Sequence, residues 1–136
     1  NGSGSGAWSK VGTAELDTTE IFEVDEFYLT GVIDDVSSAQ TIYFAIPHNC
    51  TCNGITTILG NAITVANSIL TSKNNAGTSM GTTTIAFSGS AAGDMDTTVF
   101  SSNNTFTEDQ KASVESDGGS TTLSKLYITL KFTKTV

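Results

Sequence analysis

The segment from Gly77 to Thr122 limits the possible folds of this chain more than any other part of the sequence. It contains three short β-type runs, Thr82–Phe87, Thr97–Phe100 and Lys111–Glu115, and each run is bounded by Gly, Ser, Asn or Asp. Turn residues at this spacing leave no room for a helix of ordinary length. The segment therefore predicts an all-β protein.

Strand-like runs of the same kind continue on both sides of that segment. The longest alternating run is Leu123–Val136, and its predicted buried face carries Leu126, Ile128, Leu130 and Phe132. About eight strands separated by short turns predict a two-sheet β-sandwich that is jelly-roll-like. The other predicted strands are Phe27–Ile33, Gln40–Ile46, Ile55–Leu59, Ile63–Ser72 and Thr78–Ser88.

Glycine, proline and asparagine mark the irregularities expected within this pattern. Gly31 interrupts the first strand and predicts a β-bulge there. Pro47–Gly54 has the composition of a loop, within which Thr51–Asn53 could be extended. A kink is expected near Asn67, and a turn is expected around Phe106.

Residues 1–26 differ from the rest of the chain, so the sandwich is predicted for residues 27–136. Residues 1–6 form a Gly/Ser tail. Residues 7–26 combine six acidic residues with scattered apolar residues that fit neither the helical nor the strand period. We interpret them as an extended N-terminal arm with one short strand.

Three aromatic residues are the candidates for binding a partner: Trp8, Phe22 and Tyr28. Trp8 is the single tryptophan and stands next to the Gly/Ser tail. It either packs back onto its own domain or anchors the arm to another subunit, because tryptophan is enriched at interface hot spots. Phe22 belongs to the same arm, and Tyr28 neighbours core positions of the first strand, where a subunit contact is possible.

Charge excludes two classes of partner. The net charge is −8, and the six basic residues are all lysines. Nucleic-acid binding requires clustered positive charge, and anionic membranes require the same, so neither partner is expected. No stretch approaches the roughly 20 apolar residues of a membrane span. No basic segment followed by an apolar one is visible either, so no signal peptide is expected.

The residues best suited to catalysis or metal binding are clustered in the Pro47–Gly54 segment. His48 is the single histidine, and it stands beside Cys50 and Cys52. Catalytic triads and structural zinc sites use other spacings, and zinc needs a fourth ligand. Cysteines two apart on a strand lie at or beyond disulfide reach, so two free thiols are expected, consistent with a reducing cytoplasm. We predict no catalytic residue, no cofactor and no enzyme activity.

Acidic pairs in the turns are the other candidates for chemistry. If calcium binds, the first candidates are Asp94 and Asp96 in one loop, but the spacing of an EF-hand is absent. Solvated turn aspartates explain the same pattern. We therefore predict no metal site.

Four segments resemble a family of small virion proteins of tailed bacteriophages, which are often described as head decoration, cement or structural proteins. The most recognisable phrases are SGSAAGDMD and ESDGGSTT. The resemblance implies a β-sandwich that assembles as a homotrimer on the outside of a capsid after synthesis in the host cytoplasm, with the major capsid protein or other virion proteins as partners. It transfers no catalytic residue. The four segments are Val32–Asn49, Gly54–Met80, Ile85–Thr97 and Val114–Phe132.

The function expected on this basis is capsid decoration, in which the protein binds the assembled head shell and stabilises it. Two alternatives remain open. The first is another virion part, such as a head fibre or a tail-tip module that binds a receptor. The second is a carbohydrate-binding β-sandwich, for which exposed aromatic residues would supply the stacking surface.

Overall fold

Nine β-strands make up the regular structure of the described residues, 25–135, in a computed structural model of the chain. No helix long and apolar enough to cross a membrane occurs within residues 25–135. The strands are β1 (Glu26–Ile33), β2 (Ala39–Ala45), β3 (Cys50–Leu59), β4 (Ser68–Lys73), β5 (Ser79–Ile85), β6 (Met95–Val99), β7 (Thr105–Phe106), β8 (Lys111–Asp117) and β9 (Leu126–Lys134).

The strands form two antiparallel sheets. The first sheet has the order β1-β9-β3-β6, with β7 pairing to the end of β3, and the second has the order β2-β8-β4-β5. This confirms the predicted all-β sandwich, with nine strands rather than about eight. If the two-residue β7 is set aside, every connection between strands crosses from one sheet to the other except that between β4 and β5, which pair within the second sheet.

The core lies between the sheets and follows the alternation of the strands. Every second residue of β9, from Leu126 to Phe132, is at most 1% exposed, as the sequence predicted. The ring of Phe132 stacks on Phe27 with centroids 5.0 Å apart and meets Phe106 edge to face at 6.1 Å. Such pairs contribute about 0.5–1.5 kcal/mol beyond the burial of their area.

The loop predicted over residues 47–54 ends at Asn49, because β3 begins at Cys50 and includes Thr51–Asn53, which the sequence allowed to be extended. Cys50 pairs with both Phe106 and Lys134. Cys50 and Cys52 point inward and are fully buried, where free cysteine behaves as a small apolar residue. The β-bulge of the first sheet lies between Cys52 and Gly54, so the turn-like residue Asn53 marks a bulge and not a loop.

The bulge predicted at Gly31 is also wrong, since β1 pairs with β9 in continuous register through that residue. Gly31 instead permits close packing against the second sheet. A Cβ atom added at Gly31 would lie 3.0 Å from Cδ1 of Ile42 and 3.1 Å from Cζ of Phe44. The glycine therefore reflects a close approach between β1 and β2.

Two further local predictions need correction. Residues 63–67 are not part of a strand, because Val65 has a φ of +76° and β4 begins only at Ser68. Asn67 lies in this irregular segment, where its side chain accepts a hydrogen bond from the backbone of Phe87 at 2.9 Å. Phe106, expected in a turn, belongs to β7 and is buried.

At each side of the sandwich, an edge strand of one sheet lies against an edge strand of the other. On one side, Oγ1 of Thr98 in β6 lies 2.7 Å from Oγ1 of Thr83 and donates to the carbonyl oxygen of Thr82 in β5 at 3.3 Å. On the other side, β1 approaches β2 at Gly31. The sheets are thus joined at their edges as well as through the core.

The predicted division between an arm and a sandwich falls at the start of β1. β1 begins at Glu26, and the backbone oxygen of Asp25 accepts a hydrogen bond from the amide of Lys134 at 2.7 Å. The arm itself, including Trp8 and Phe22, lies outside the described residues and stays a prediction.

Candidate interaction surface

The outer face of the first sheet carries an apolar row that crosses all four of its long strands. In the strand register, Val32 lies opposite Tyr127, Tyr127 opposite Ile58, and Ile58 opposite Met95. These four side chains are between 38% and 63% exposed. We call Val32, Tyr127, Ile58 and Met95 the apolar row. Contiguous exposed apolar side chains of this kind often mark interaction sites.

A second row, composed entirely of threonine, lies next to the apolar row. Thr30 pairs with Thr129, Thr129 with Thr56, and Thr56 with Thr97. The hydroxyl groups of Thr56 and Thr97 lie 3.3 Å apart. β-Branched threonine suits a half-wet pleated surface, and its methyl groups extend the uncharged area. The first two rows of the face therefore contain no charged residue.

The third row contains a lysine that is held by a neighbour. Tyr28 lies opposite Lys131, which lies opposite Gly54, which lies opposite Val99. The Nζ atom of Lys131 is 3.1 Å from the carboxylate of Glu26. The hydrogen bond and charge of Glu26 raise the pKa of Lys131, so this lysine remains protonated and paired at neutral pH.

Gly54 creates a depression in this otherwise flat face. A Cβ atom at Gly54 would lie only 2.5 Å from the carbonyl oxygen of Thr98, so β3 and β6 approach each other where no side chain fits. The depression has a volume of about 300 Å³, which exceeds that of a single aromatic side chain. Thr56, Thr97, Val99 and Lys131 contribute to its lining.

The outer face of the second sheet has a different character, because charged side chains cross it. Lys73 forms an ion pair with Glu115, and Lys111 and Glu115 help to line a depression of about 320 Å³. Tyr43 is 66% exposed there but has these charged residues around it. The uncharged surface is therefore confined to one of the two sheets.

The structure places Tyr28 on the candidate face, as one of the exposed residues of β1. Trp8 and Phe22, the other two predicted partner-binding residues, lie outside the described residues. Sequence reasoning missed Ile58 and Met95. The signal for them was the alternation of β3 and β6, but their common row depends on a register between distant strands that a single sequence does not provide.

The histidine and the two cysteines that were considered for catalysis or metal binding do not form a common site. Both thiols point into the core, and burial raises the pKa of Cys50 to about 11 and that of Cys52 to about 12, which leaves them protonated and unreactive. They are free thiols, as predicted. His48 is exposed, with its ring edge-to-face against Phe27 at 5.7 Å.

The two aspartates considered for calcium line one small depression of about 170 Å³, but they do not share a loop, because Asp94 precedes β6 and Asp96 lies within it. However, a carboxylate oxygen of Asp94 accepts a hydrogen bond from the backbone of Ala91 at 2.7 Å. Partial burial and the charge of Asp94 raise the pKa of Asp96. Across residues 25–135, no three His, Cys, Asp or Glu side chains are grouped closely enough to hold a metal ion.

Comparison with known proteins does not assign the chain to a family. No protein-family model and no curated protein matches it. A chain of the cyanophage Pam1 capsid asymmetric unit aligns with a TM-score of 0.44 and 11% identity, over 82% of this chain and 81% of that one.

Two other solved structures align over similar lengths of this chain. Dimeric latent PorU from Porphyromonas gingivalis has a TM-score of 0.40 and 10% identity, over 82% of this chain and 13% of its own. A family two carbohydrate esterase from Cellvibrio japonicus has a TM-score of 0.30 and 13% identity, over 80% and 35%. Because all three TM-scores are below 0.5, no functional conclusion is drawn from these likenesses.

Proposed function

We propose that this protein is a structural component of a tailed-phage virion that decorates the outside of the head shell and stabilises it. Its sequence resembles small virion proteins of that kind over four segments. The observation that carries the proposal on the structural side is the pair of uncharged rows, apolar and threonine, on the outer face of the first sheet. Such a face suits adhesion to another protein surface, and no reaction is assigned to it.

The strength of the face can be estimated from its exposure. Burying an aliphatic or aromatic side chain completely contributes about 1.5–3 kcal/mol. The four residues of the apolar row are already about half buried, so covering them adds about 1 kcal/mol each, or about 4 kcal/mol in total. That free energy corresponds to a dissociation constant of about 1 mM, even before the cost of association is subtracted.

One copy would therefore hold a shell weakly, and decoration requires several linked contacts. We propose that the protein acts as a homotrimer, because three faces that bind together gain avidity from individually weak contacts. Its partners are then the major capsid protein or other virion proteins, and its location is the capsid surface after assembly in the host cytoplasm. A protein that binds the assembled shell and not its free subunits stabilises the shell by mass action. In this proposal the protein is not an enzyme.

The test is co-sedimentation of the purified protein with undecorated capsids. Met95→Asp places a charge in the apolar row and should weaken attachment at least tenfold. Tyr43→Asp, which adds the same charge to the outer face of the second sheet, is the matched control and should attach normally. Equal attachment of both variants would mean that the outer face of the first sheet does not bind the capsid.

Counting copies on native particles separates the proposal from its alternatives. Decoration requires hundreds of copies per head, whereas a head fibre or tail-tip module requires about a dozen, and a stained gel distinguishes the two. Binding to sugars on a glycan array, without attachment to capsids, would instead indicate a carbohydrate-binding module.

A further inference from the structure

We propose that the depression on the outer face of the second sheet binds an acidic sugar, with the sugar ring against Tyr43 and its carboxylate paired with Lys111. This proposal does not depend on the proposed function, because the depression and the apolar row lie on different sheets. Substitutions in the depression leave the surface proposed for capsid attachment intact. The site is therefore a second binding site of the purified protein.

The depression exists because a short side chain lies between two long ones. In the strand register, Ser113 lies opposite Tyr43 on one side and opposite Lys73 on the other. Neighbouring strands are about 4.8 Å apart, so the backbones of Tyr43 and Lys73 are about 10 Å apart, with only the buried serine between them. The volume of about 320 Å³ lies at the lower end of the range for small-molecule sites. Its size therefore suits a small ligand rather than a second protein chain.

The turn between β4 and β5 closes one end of the depression and is held in place. The side-chain oxygen of Asn74 accepts hydrogen bonds from the amides of Ala76 and Thr78, both at 3.0 Å. The side-chain oxygen of Asn75 accepts a hydrogen bond from the amide of Lys111 at 3.1 Å, which fastens the turn to the start of β8. A wall that is already ordered costs little conformational entropy on binding. The shape of the site is therefore present before any ligand arrives.

The lining combines an aromatic ring with groups that accept and donate hydrogen bonds. Tyr43 is 66% exposed, so the apolar face of its ring is free to cover the C–H face of a sugar ring. Thr41 lies opposite Glu115 in the register and supplies a hydroxyl group beside the carboxylate. That carboxylate is paired with Lys73 but has about four acceptor positions, so it can also accept from sugar hydroxyls. An aromatic face with a polar rim matches a sugar, which has C–H groups on its face and hydroxyls at its edge.

The charge of the depression is opposite to that of the whole protein. Lys73 and Glu115 neutralise each other, and Lys111 has no ion-pair partner among residues 25–135. The depression therefore has one net positive charge, in a protein whose net charge is −8. A carboxylate next to Lys111 gains a charge-assisted hydrogen bond. A phosphate carries more negative charge, which Glu115 repels, so the carboxylate of a uronic acid is the better match.

Titration of the full chain, labelled with ¹⁵N, tests the proposal by nuclear magnetic resonance. The probes are the methyl glycosides of glucuronic, galacturonic and mannuronic acid, each paired with the neutral hexoside that has a hydroxymethyl group in place of the carboxylate. At least one uronide should shift the amide signals of Tyr43, Asn75 and Ser113, with a dissociation constant of about 1 mM. It should bind about threefold more tightly than its neutral partner, as expected for an exposed ion pair. No shift with any uronide at tens of millimolar overturns the proposal.

Substitutions in the depression assign the contacts, and the remaining amide signals show that each variant is folded. Tyr43→Ala should abolish the shifts, and Tyr43→Phe, which keeps the ring, should restore them. Lys111→Gln should remove the preference for the uronide but retain binding of the neutral sugar. Lys134→Gln removes the same charge at an exposed position outside the depression and should leave the preference intact. Binding that survives Tyr43→Ala, or a preference that survives Lys111→Gln, overturns the assignment.

Small anions separate a sugar site from a lysine that attracts any negative charge. Acetate and inorganic phosphate carry charge but have no ring, so neither should cause a saturable shift of these amides at the concentrations used for the uronides. Saturable binding of either anion with the affinity of the uronide would overturn the proposal.

Discussion

Replacing Gly54 with alanine tests whether the close approach of β3 and β6 is as tight as the structure shows. The added Cβ atom would lie 2.5 Å from the carbonyl oxygen of Thr98 and 3.3 Å from Cα of Val99. Both are backbone atoms, so no side-chain rotation can relieve the contact. Carbon–oxygen contacts between strands are ordinarily about 3.3 Å or longer, so β6 must move away by about 0.8 Å.

That displacement sets the expected cost. A movement of about 0.8 Å weakens about two backbone hydrogen bonds between β3 and β6, at about 1 kcal/mol each. Alanine also restricts the unfolded chain, which offsets about 0.5 kcal/mol. The free energy of unfolding should therefore fall by about 1.5 kcal/mol. With an unfolding entropy of about 2.1 cal/mol/K per residue, Tm should fall by about 5 °C.

Denaturant titration and thermal melting measure the loss, and amide hydrogen exchange locates it. Exchange should accelerate in β6 and leave β4 in the other sheet unchanged. Gly89→Ala is the control, because φ at Gly89 is +76° but no atom lies within 4 Å of an added Cβ. It should cost about 1 kcal/mol from backbone strain without affecting β6. Stability of Gly54→Ala within 0.5 kcal/mol of the parent would refute the reasoning.

Three further outcomes follow from buried or paired groups. Iodoacetamide at pH 8 should leave Cys50 and Cys52 unmodified in the native protein and alkylate both in denaturant. The reason is that burial raises the pKa of each thiol well above that pH. Labelling of the native protein would contradict this. The pKa of Asp96 is raised on folding, so its ionised form destabilises the fold as pH rises through that pKa. Asp96→Asn should therefore increase the free energy of unfolding at pH 7. In denaturant titrations this gain should vanish below pH 3.8. A gain that is independent of pH would exclude the ionisation of Asp96 as its cause. Thr98→Val removes the 2.7 Å contact with Thr83 and should lower the free energy of unfolding by about 1 kcal/mol in the same titration. An unchanged midpoint would mean that this contact does not hold the sheets together.

The strands that alternate strongly were predictable because burial on one face repeats every two residues. The run predicted at Lys111–Glu115 lies within β8, and the buried face of β9 was identified residue by residue. In β9 the apolar residues alone define the buried face, whereas in β8 the buried face also includes Ser116. Local sequence is sufficient where every inward position is apolar and every neighbour is polar.

Prediction failed where a tertiary contact decides the local structure. The residues from Cys50 to Gly54 have a turn-like composition, yet pairing with β9 and burial of two thiols make them part of β3. Val65 belongs to a run of β-branched and aliphatic residues but adopts a positive φ in an irregular segment. Backbone and side-chain partners from distant parts of the chain overrode propensity at these positions.

The candidate surface was only partly predictable for the same reason. Tyr28 was identified as an aromatic residue next to core positions. The apolar row, however, takes one residue from each of four strands that are far apart in sequence, such as Val32 and Met95. Each residue alone is unremarkable, because single exposed apolar residues are common. Only the strand order and register show that these residues form one continuous surface.

The joined sides of the sandwich have a consequence for aggregation. An uncovered edge strand can template another chain and allow sheets to grow into fibres. In this fold Thr98 already occupies a backbone acceptor of β5, and Gly31 brings β1 against the opposite sheet. Addition of a further strand along these sides is therefore disfavoured.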